Sequence, residues 1–396
     1  MYVSTQIVLR SVYRFLRYNG LMQTIAILGR QPEFGLVELE SLFGANEIKP
    51  WGPTGALLTN EPDINTLGGI QKLGRILYRG PARNLNEAPI SLDDLPLRAS
   101  KTSFGLSYYG LRATPRFVMQ TGLTLKKRLK GRGSLRLVAP QTSTALSAAQ
   151  VKFNGLIQNG FELLIVMNQQ EMVVAITTQL QDIDGYAARD YGRPSRSAKI
   201  GMLPPKLAQI IINTTHAPLV YDPFCGTGVV LQETLLLGRQ AAGSDSAEAM
   251  VESTRENLAW LRRLRPELPE SRVAVADART IELPKPPLAI VSEGYLGPNL
   301  SKAPSPQRLR DLQAEMSKLY ADSLRHWGGQ LKAGAEVSIT APVWYAENKP
   351  KATGIIDRLP DLGYTLVSFN HANSRNLIYR RSGQSVGRQL LIWRKQ

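Results

Sequence analysis

The first candidate for chemistry in this 396-residue sequence is the segment DPFCGTG, from Asp222 to Gly228, which ends a predicted strand and enters a predicted helix. Gly226 and Gly228 have no Cβ atom, so the backbone there can turn sharply and approach a ligand closely. A nicotinamide dinucleotide site shares such a loop but has a third glycine where Leu231 stands. The segment therefore indicates a ligand-binding loop whose ligand must be inferred from the following strands.

Three further predicted strands in succession also end in functional residues. Asp245 ends the second strand, where a carboxylate can accept hydrogen bonds from both hydroxyls of a ribose. Asp277 ends the third, where it can accept a hydrogen bond from an adenine amino group, and Tyr295 follows the fourth. The carboxyl ends of such strands face one crevice in doubly wound folds. Each aspartate alone could cap the next helix, but four strand ends in series favour a binding site.

These strand ends need a sheet to position them, and from Leu207 the sequence alternates strands and helices. Helical patterns lie between the first six strands, which predicts a doubly wound Rossmann-like α/β domain. The last two strands lack a helix between them, so we expect an antiparallel pair at the sheet edge. The predicted strands are PLVYDPFC, RQAAGSD, RVAVADA, LAIVSEG, AEVSIT, YTLVSFN and RQLLIWRK.

The first half of the chain predicts two smaller α+β units and a linker. Residues 22–97 contain a strand, a turn, a helix and two more strand candidates, and residues 98–181 contain four strands and one helix. Residues 182–206 are rich in glycine, proline and charge, which is typical of an interdomain linker. Residues 1–21 carry three arginines and no acid, and we expect a basic N-terminal extension.

The net charge of +16 favours a polyanionic partner such as nucleic acid. Residues 95–161 contain eleven Lys or Arg and no Asp or Glu. Clustered cations suit phosphate contacts, which supply affinity without reading sequence, although a solvated basic surface is the alternative. The candidate phosphate-binding residues are Lys126, Lys127, Arg128, Lys130 and Arg132, together with Arg189, Arg193 and Arg196 of the predicted linker.

Composition excludes several other classes of protein. No apolar run approaches the roughly 18 residues that a membrane helix needs. Cys225 is the single cysteine, which rules out an internal disulfide framework and suits a reducing cytosol. Three scattered histidines and one cysteine do not make a zinc site. We therefore expect a cytoplasmic protein without metal or membrane partners, and nothing demands more than a monomer.

The segment DPFCGTG, with Asp245, Asp277 and a tyrosine-bearing loop, resembles the S-adenosylmethionine-dependent methyltransferases that modify exocyclic amines of bases. More narrowly, RDYGRPSRSAKIGMLPPKLAQIIIN, just before that loop, resembles the THUMP-containing tRNA guanine-amine methyltransferases. The resemblance covers Met22 to the C terminus. It implies a ferredoxin-like unit over 22–97, a THUMP-like RNA-binding domain over 98–181 and a class I methyltransferase domain over 207–396.

The resemblance also implies roles for individual residues around an S-adenosylmethionine cofactor. Asp245 would hold the ribose, Asp277 the adenine, and Lys206 would help to shape the floor of the site. The residues expected at the methionine part of the cofactor are Asp222, Pro223, Gly226, Thr227 and Gly228.

The loop SEGY, from Ser292 to Tyr295, departs from this family, whose members usually have Asp-Pro-Pro-Tyr there. In that motif the Asp side chain and the next carbonyl accept the amine's two hydrogens while the tyrosine stacks on the base. Tyr295 can keep the stacking role, and Ser292 is a weak acceptor. Glu293 could replace it if the backbone shifts by one residue, which Gly294 would allow. The alternative is a degenerate loop with Glu293 in solvent.

Together these features predict a methyltransferase that acts on a guanine exocyclic amine in tRNA or another structured RNA. A sulfonium is already an activated methyl donor, so the reaction needs no metal. Two alternatives stay open at this point. The first is a DNA adenine-amine or cytosine-amine methyltransferase, and the second is a non-catalytic RNA-binding protein that kept the fold.

Overall fold

A computed structural model describes residues 22–81, 84–98, 101–110, 113–196, 203–285, 287–298, 304–346, 349–381, 384 and 386–396. The chain divides into two compact units. The first contains 22–32, Phe43–Asn65 and Ile70–Ile183, and the second contains Glu33–Leu42, Thr66–Gly69 and Asp184–Gln396. The predicted extension, residues 1–21, lies outside the described residues.

The predicted helix that follows the strand Thr24–Leu28 and the predicted helix of residues 98–181 are both present, whereas the helices Ala148–Phe153 and Ile183–Tyr191 were not expected. In helix α2, Thr114 accepts a hydrogen bond from the backbone N–H of Phe117, and Pro115 occupies the first turn, where its missing N–H costs nothing. The described helices are α1 (Pro32–Phe43), α2 (Pro115–Arg128), α3 (Ala148–Phe153), α4 (Ile183–Tyr191), α5 (Pro205–Asn213), α6 (Val229–Leu236), α7 (Glu248–Leu264) and α8 (Pro306–Gly328).

The first unit is built on one eight-stranded sheet with the order β2-β3-β1-β4-β8-β7-β5-β6. Strands β4 and β8 pair antiparallel, so strands predicted for two separate units share a single sheet. The domain boundary near residue 97 therefore stays a prediction. The strands are β1 (Thr24–Leu28), β2 (Ile48–Trp51), β3 (Gly55–Leu58), β4 (Ile70–Gly80), β5 (Lys101–Tyr109), β6 (Ser134–Val138), β7 (Gly160–Met167) and β8 (Met172–Leu180).

A buried ion pair lies inside the first unit. The Nζ atom of Lys72, on β4, donates to the carboxylate of Glu162, on β7, and both side chains are almost fully buried. The hydroxyls of Ser107 and Thr177 also donate to Glu162, and Lys72 donates to the carbonyl of Leu146. Because each charged atom has several partners, this pair satisfies the polar requirements of the core.

The second unit has a nine-stranded sheet with the order β11-β10-β9-β12-β13-β17-β15, to which β14 and β16 are added at β13 and β17. The first five strands in this order, from β11 through β10, β9 and β12 to β13, are parallel to one another. Strand β17 is antiparallel to its neighbours β13 and β15. The strands are β9 (Leu219–Asp222), β10 (Gln240–Asp245), β11 (Arg272–Val275), β12 (Leu288–Ser292), β13 (Glu336–Ala346), β14 (Lys349–Ala352), β15 (Tyr364–Leu366), β16 (Ile378–Tyr379) and β17 (Val386–Lys395).

Helices cover both faces of this sheet, as the prediction of a doubly wound α/β fold requires. Trp327 and Leu312 of α8 pack on one face, with Ile290 of β12. Ile211 of α5 and Val37 of α1 belong to the core on the other face. The predicted antiparallel pair of the last two strands is also present, with β15 beside β17.

Three sequence expectations differ from the structure. No α-helix lies between β11 and β12 among the described residues, because ELPKPP over 282–287 contains three prolines, which interrupt a helix. The described residues between β13 and β15 form β14 and short 3₁₀ turns instead of the expected helix. The predicted linker, 182–206, contains helix α4 and belongs to the second unit from Asp184 onward.

Candidate functional site

The glycine loop after β9 has the sharp turn that its sequence predicts. Gly226 and Gly228 have φ angles of 52° and 81°, in the left-handed region that favours glycine. A Cβ atom at Gly228 would lie 2.8 Å from Cγ2 of Thr254. At Gly226 the nearest atom to such a Cβ would be 3.9 Å away, so this side of the loop is open to an approaching ligand.

The other loop residues support this conformation. Pro223 is buried, and Thr227 is half-buried, with its carbonyl accepting a hydrogen bond of 2.9 Å from the side chain of Asn257. The thiol of Cys225 is buried, which raises its pKa well above the usual range. A neutral buried thiol is a packing group and not a nucleophile.

Asp245 joins the ends of the first two parallel strands of the site. Its Oδ2 atom accepts a 3.0 Å hydrogen bond from the backbone N–H of Gly226, and its Oδ1 atom accepts one of 3.0 Å from Ala247. The carboxylate has about four lone-pair positions in total, so capacity remains for the hydroxyls of a ribose. The expected place of Asp245 at the carboxyl end of β10 is thus found.

Asp277 lies beyond β11 and is held by a neighbour that the sequence reading missed. Arg279 donates from Nη2 to Oδ2 at 2.6 Å and from Nε to Oδ1 at 2.9 Å. The hydrogen bond from Arg279 is the main reason why the pKa of Asp277 lies below its usual value. An adenine amine would therefore share this carboxylate with a guanidinium, and the spacing Asp-Ala-Arg was the available signal.

Asp222 and Ser292 form a buried pair at the centre of the sheet edge. The hydroxyl of Ser292 donates to Oδ1 of Asp222 at 2.6 Å, and the backbone N–H of Phe224 donates to the same oxygen at 3.0 Å. Burial raises the pKa of Asp222 to about 7. Because Ser292 is fully buried, it does not face a substrate, which corrects the prediction that its oxygen accepts from the target amine.

Glu293 is half-buried, and its carboxylate already has partners. Nε of Arg388, on β17, donates to its Oε1 atom, and the Arg388 side chain is 3% exposed. Burial raises the pKa of Glu293, while Arg388 and the backbone of Leu203 counteract this rise. Glu293 is thus held in an ion pair instead of pointing freely into solvent, and its role as an amine acceptor stays a prediction. Arg388 was missed because it lies 95 residues further along the chain.

Tyr295 and Gly294 complete the loop. The Tyr295 ring is 46% exposed, as a base-stacking role requires, and its carbonyl accepts a 2.8 Å hydrogen bond from the hydroxyl of Tyr320. A Cβ atom at Gly294 would lie 2.5 Å from that hydroxyl oxygen and 2.8 Å from the carbonyl of Thr340. Gly294 is therefore needed for close packing, not for the backbone freedom that the sequence suggested.

Two of the four basic residues before the site, Arg189 and Arg193, have different surroundings from those expected. The Nζ atom of Lys206 lies 4.9 Å from the ring centroid of Tyr186, and the guanidinium of Arg189 lies 4.8 Å from the same centroid. Arg189 also donates to Glu233 at 2.7 Å, and Arg193 is buried. Arg189 and Arg193 face the protein interior, which corrects their assignment to RNA. Arg196 is exposed and lies over the ring of Tyr191.

The predicted basic cluster belongs to the first unit. Lys126, Lys127 and Arg128 form the last turn of α2, and they are exposed, as are Lys130 and Arg132. Arg132 forms an ion pair of 2.6 Å with Asp93. Exposure leaves the cluster accessible to phosphate groups, and its role stays a prediction.

Neither a metal site nor a membrane-spanning helix is found among the described residues. They contain no group of three or more His, Cys, Asp or Glu side chains that could hold a metal ion. Among the described helices, none has both the length and the apolar content for crossing a membrane.

Solved structures share the fold of this chain. TrmN from Thermus thermophilus aligns with a TM-score of 0.52 and 16% identity, over 95% of this chain and 100% of that one. SMU.472, described as a putative methyltransferase complexed with SAH, aligns with a TM-score of 0.50 and 14% identity, over 95% of this chain and 98% of that one. The fold is thus that of the class I methyltransferases, as predicted.

Over part of its length the chain is similar in sequence to two tRNA (guanine(10)-N2)-dimethyltransferases, which confirms the predicted resemblance except for its THUMP component. It is 32% identical over 145 residues to the tRNA (guanine(10)-N2)-dimethyltransferase of Methanothermobacter thermautotrophicus, covering 36% of this chain and 39% of that protein. The enzyme of the same name from Pyrococcus abyssi is 42% identical over 59 residues, 15% of this chain and 18% of that protein. The matched part thus spans about two fifths or less of these relatives, and no family model matches the chain.

Proposed function

We propose that this protein is an S-adenosylmethionine-dependent methyltransferase that acts on the exocyclic amine of a guanosine in tRNA, in the cytoplasm. The observation that carries the proposal is the set of strand ends at one sheet edge, Asp222, Asp245 and Tyr295, in a chain related to tRNA (guanine(10)-N2)-dimethyltransferases. The methyltransferase fold supports the reaction class, and the relatives' name supports the substrate.

The residues at this edge fit the proposed cofactor. The open side of Gly226 permits close approach of a ligand, and the half-buried carboxylate of Asp245 retains capacity for ribose hydroxyls. When bound, S-adenosylmethionine supplies a methyl group that its sulfonium already activates. Asp277 would contribute to the adenine end together with Arg279, whose guanidinium fixes the carboxylate.

The loop over 292–295 is proposed to orient the target amine through its backbone. Methyl transfer requires the nitrogen lone pair in line with the methyl carbon, and such positioning contributes about 7–11 kcal/mol in well-oriented pairs. Tyr295 has an exposed ring for stacking, worth roughly 1–3 kcal/mol per base. No described residue donates a hydrogen bond to the carbonyl of Glu293, so this oxygen is proposed as the acceptor of an amine hydrogen.

The rest of the RNA is proposed to contact the first unit. A base inside folded RNA must be taken out of its stack before it can enter such a site. The exposed cluster of Lys126, Lys127, Arg128 and Lys130 suits phosphate contacts. The expected THUMP-like character of this unit is part of the proposal.

The experiment is methyl transfer from labelled S-adenosylmethionine to unmodified tRNA, with the product nucleosides identified by mass. We expect a methylated guanosine in which the label lies on the exocyclic amine. Asp245→Asn should weaken cofactor binding, and Tyr295→Ala should lower the rate with little change in cofactor affinity. Asp361→Asn, at an exposed position of the same unit, is the matched control.

Two outcomes would contradict the proposal. Methylation of duplex DNA in preference to tRNA would favour a DNA amino-methyltransferase. Cofactor binding without a methylated product on any RNA would favour a non-catalytic RNA-binding protein.

A further inference from the structure

Two strands of the second unit continue past the edge where the candidate site lies. Ser292, the last residue of β12, pairs with Ile339, and β13 then continues to Ala346. Strand β17 follows it antiparallel, with Gly387 opposite Val343. This extension places Tyr345, together with the β16–β17 hairpin, beyond the carboxyl ends of the parallel strands, on the side of the SEGY loop.

Two arginine–tyrosine pairs occupy the extension, and we call them the arginine rim: Tyr345, Tyr379, Arg380 and Arg381. The guanidinium of Arg380 lies 3.7 Å from the ring centroid of Tyr345, and its Nε donates to the carbonyl of Gln384 at 2.9 Å. Gly387 packs closely beside this pair, since a Cβ atom there would lie 3.2 Å from the carbonyl of Tyr379 and 3.4 Å from Cε2 of Tyr345. The guanidinium plane of Arg380 is thus held in a defined orientation.

Arg381 is exposed and is held by the second tyrosine. Its Nε donates to the hydroxyl of Tyr379 at 3.2 Å, and the Tyr379 ring packs edge-on against Phe34. Among the described residues, the Nη atoms of Arg380 and Arg381 have no hydrogen-bond acceptor. Both arginines therefore present charged donors whose orientation is fixed by contacts at Nε and at the aromatic rings.

The electrostatic surroundings favour an anionic partner at the rim. Residues 362–396 contain no Asp or Glu. Asp190 is within electrostatic range of Arg381 and offsets part of its charge, whereas Tyr191, in the same range, is exposed under the stacked Arg196. A planar guanidinium matches phosphate oxygens with two parallel N–H groups, and exposed aromatic rings suit neighbouring bases.

We propose that the arginine rim binds the phosphodiester backbone of the RNA strand that carries the target base. The inference rests on the proposed function for the identity of the RNA, but it concerns binding and not methyl transfer. The arginine rim lies next to the SEGY loop, so its partner is the strand near the target base. The basic cluster of the first unit could instead bind any part of the RNA.

The test is the salt dependence of binding to unmodified tRNA, measured by fluorescence anisotropy for Arg380→Gln, Arg381→Gln and the double variant. Each lost phosphate contact should reduce the slope of log K against log salt by about 0.7–0.9. The double variant should therefore lose about 1.5 from the slope, and its KM for tRNA should rise while cofactor affinity stays unchanged.

The matched control is Arg394→Gln. Arg394 lies near the C-terminal end of β17, away from the rim, where it pairs with Glu336, and its side chain is 58% exposed. Arg380→Lys keeps the charge but loses the planar stack, so its affinity should lie between those of wild type and Arg380→Gln.

The outcomes separate this inference from the proposed function. A rim-dependent slope in a protein that yields no methylated nucleoside would support the rim and contradict the proposed activity. A double variant with the slope and KM of Arg394→Gln would overturn the rim, even if methyl transfer is fully active. Because Arg381 is exposed, Arg381→Gln provides the same test if a change at Arg380 disturbs the hairpin.

Discussion

The ion pair between Glu293 and Arg388 is the contact that most directly decides how the SEGY loop works. The Arg388 side chain is 3% exposed and that of Glu293 is 20% exposed. Removing one partner of a buried pair typically costs 3–5 kcal/mol, because the other charge is left without compensation. Glu293→Gln and Arg388→Met should therefore each lower the free energy of unfolding by about 3–5 kcal/mol.

The double variant Glu293→Gln/Arg388→Met separates loop positioning from direct catalysis. It removes both charges, so it should be no less stable than either single variant, which requires a coupling energy of at least about 3 kcal/mol. If Glu293 acts through Arg388 to hold the loop, the double variant should also regain part of the kcat that Glu293→Gln loses. Urea unfolding and single-turnover methyl transfer to tRNA measure the two quantities on the same preparations.

Either of two results would refute this reasoning. Additive losses of stability would mean that the pair contributes no coupling. If Arg388→Met kept its activity while Glu293→Gln and the double variant were equally inactive, the carboxylate itself would contact the amine. Arg388→Lys is the matched control, since it keeps the charge but not the guanidinium.

Three further perturbations follow from the described contacts. Gly294→Ala places a methyl group 2.5 Å from the Tyr320 hydroxyl, so it should lower the free energy of unfolding by about 1–3 kcal/mol. It should lower kcat, measured in single turnovers, more than it lowers cofactor affinity, measured by calorimetry. Lys72→Met leaves Glu162 buried alone and should cost about 3–5 kcal/mol by urea unfolding, and Lys72→Met/Glu162→Leu should recover most of it. Burial raises the pKa of Asp222 from 3.8 to about 7, so the native state alone holds that proton between these pH values. The contribution of this proton to the free energy of unfolding is complete below pH 3.8 and is lost as the pH rises through 7. Asp222→Asn should therefore remove up to about 4 kcal/mol of the pH dependence of unfolding. The check is the free energy of unfolding at pH 5 and at pH 8.

The sequence predicted the ends of these parallel strands well because its signals are local. An apolar strand followed by Asp or a glycine turn is visible within ten residues, and Asp222, Asp245 and Tyr295 lie at the strand ends where they were expected. Arg279 is also local and was missed, because the carboxylate of Asp277 was considered only as an acceptor for a ligand. The Asp277–Arg279 pair could have been predicted, because oppositely charged side chains two positions apart in a turn can form an ion pair.

Long-range pairing explains what the sequence did not predict. Strands β4 and β8 are about 100 residues apart, and their pairing makes one sheet from segments that were assigned to two units. Residues 33–42 of α1 belong to the second unit although the strand before them belongs to the first. A periodic pattern specifies that a face is buried, but not which distant face covers it.

The departures of the SEGY loop from Asp-Pro-Pro-Tyr are matched by specific partners. An aspartate at position 292 would bring a second carboxylate to within hydrogen-bonding distance of Asp222, where two like charges cannot both be ionised. Ser292 instead supplies the hydrogen that Asp222 accepts. A proline at 294 would require a Cβ atom where the Tyr320 hydroxyl lies. Since each substitution has a compensating contact, and the Tyr295 ring remains exposed, the loop is an ordered variant of the motif and not a degenerate one.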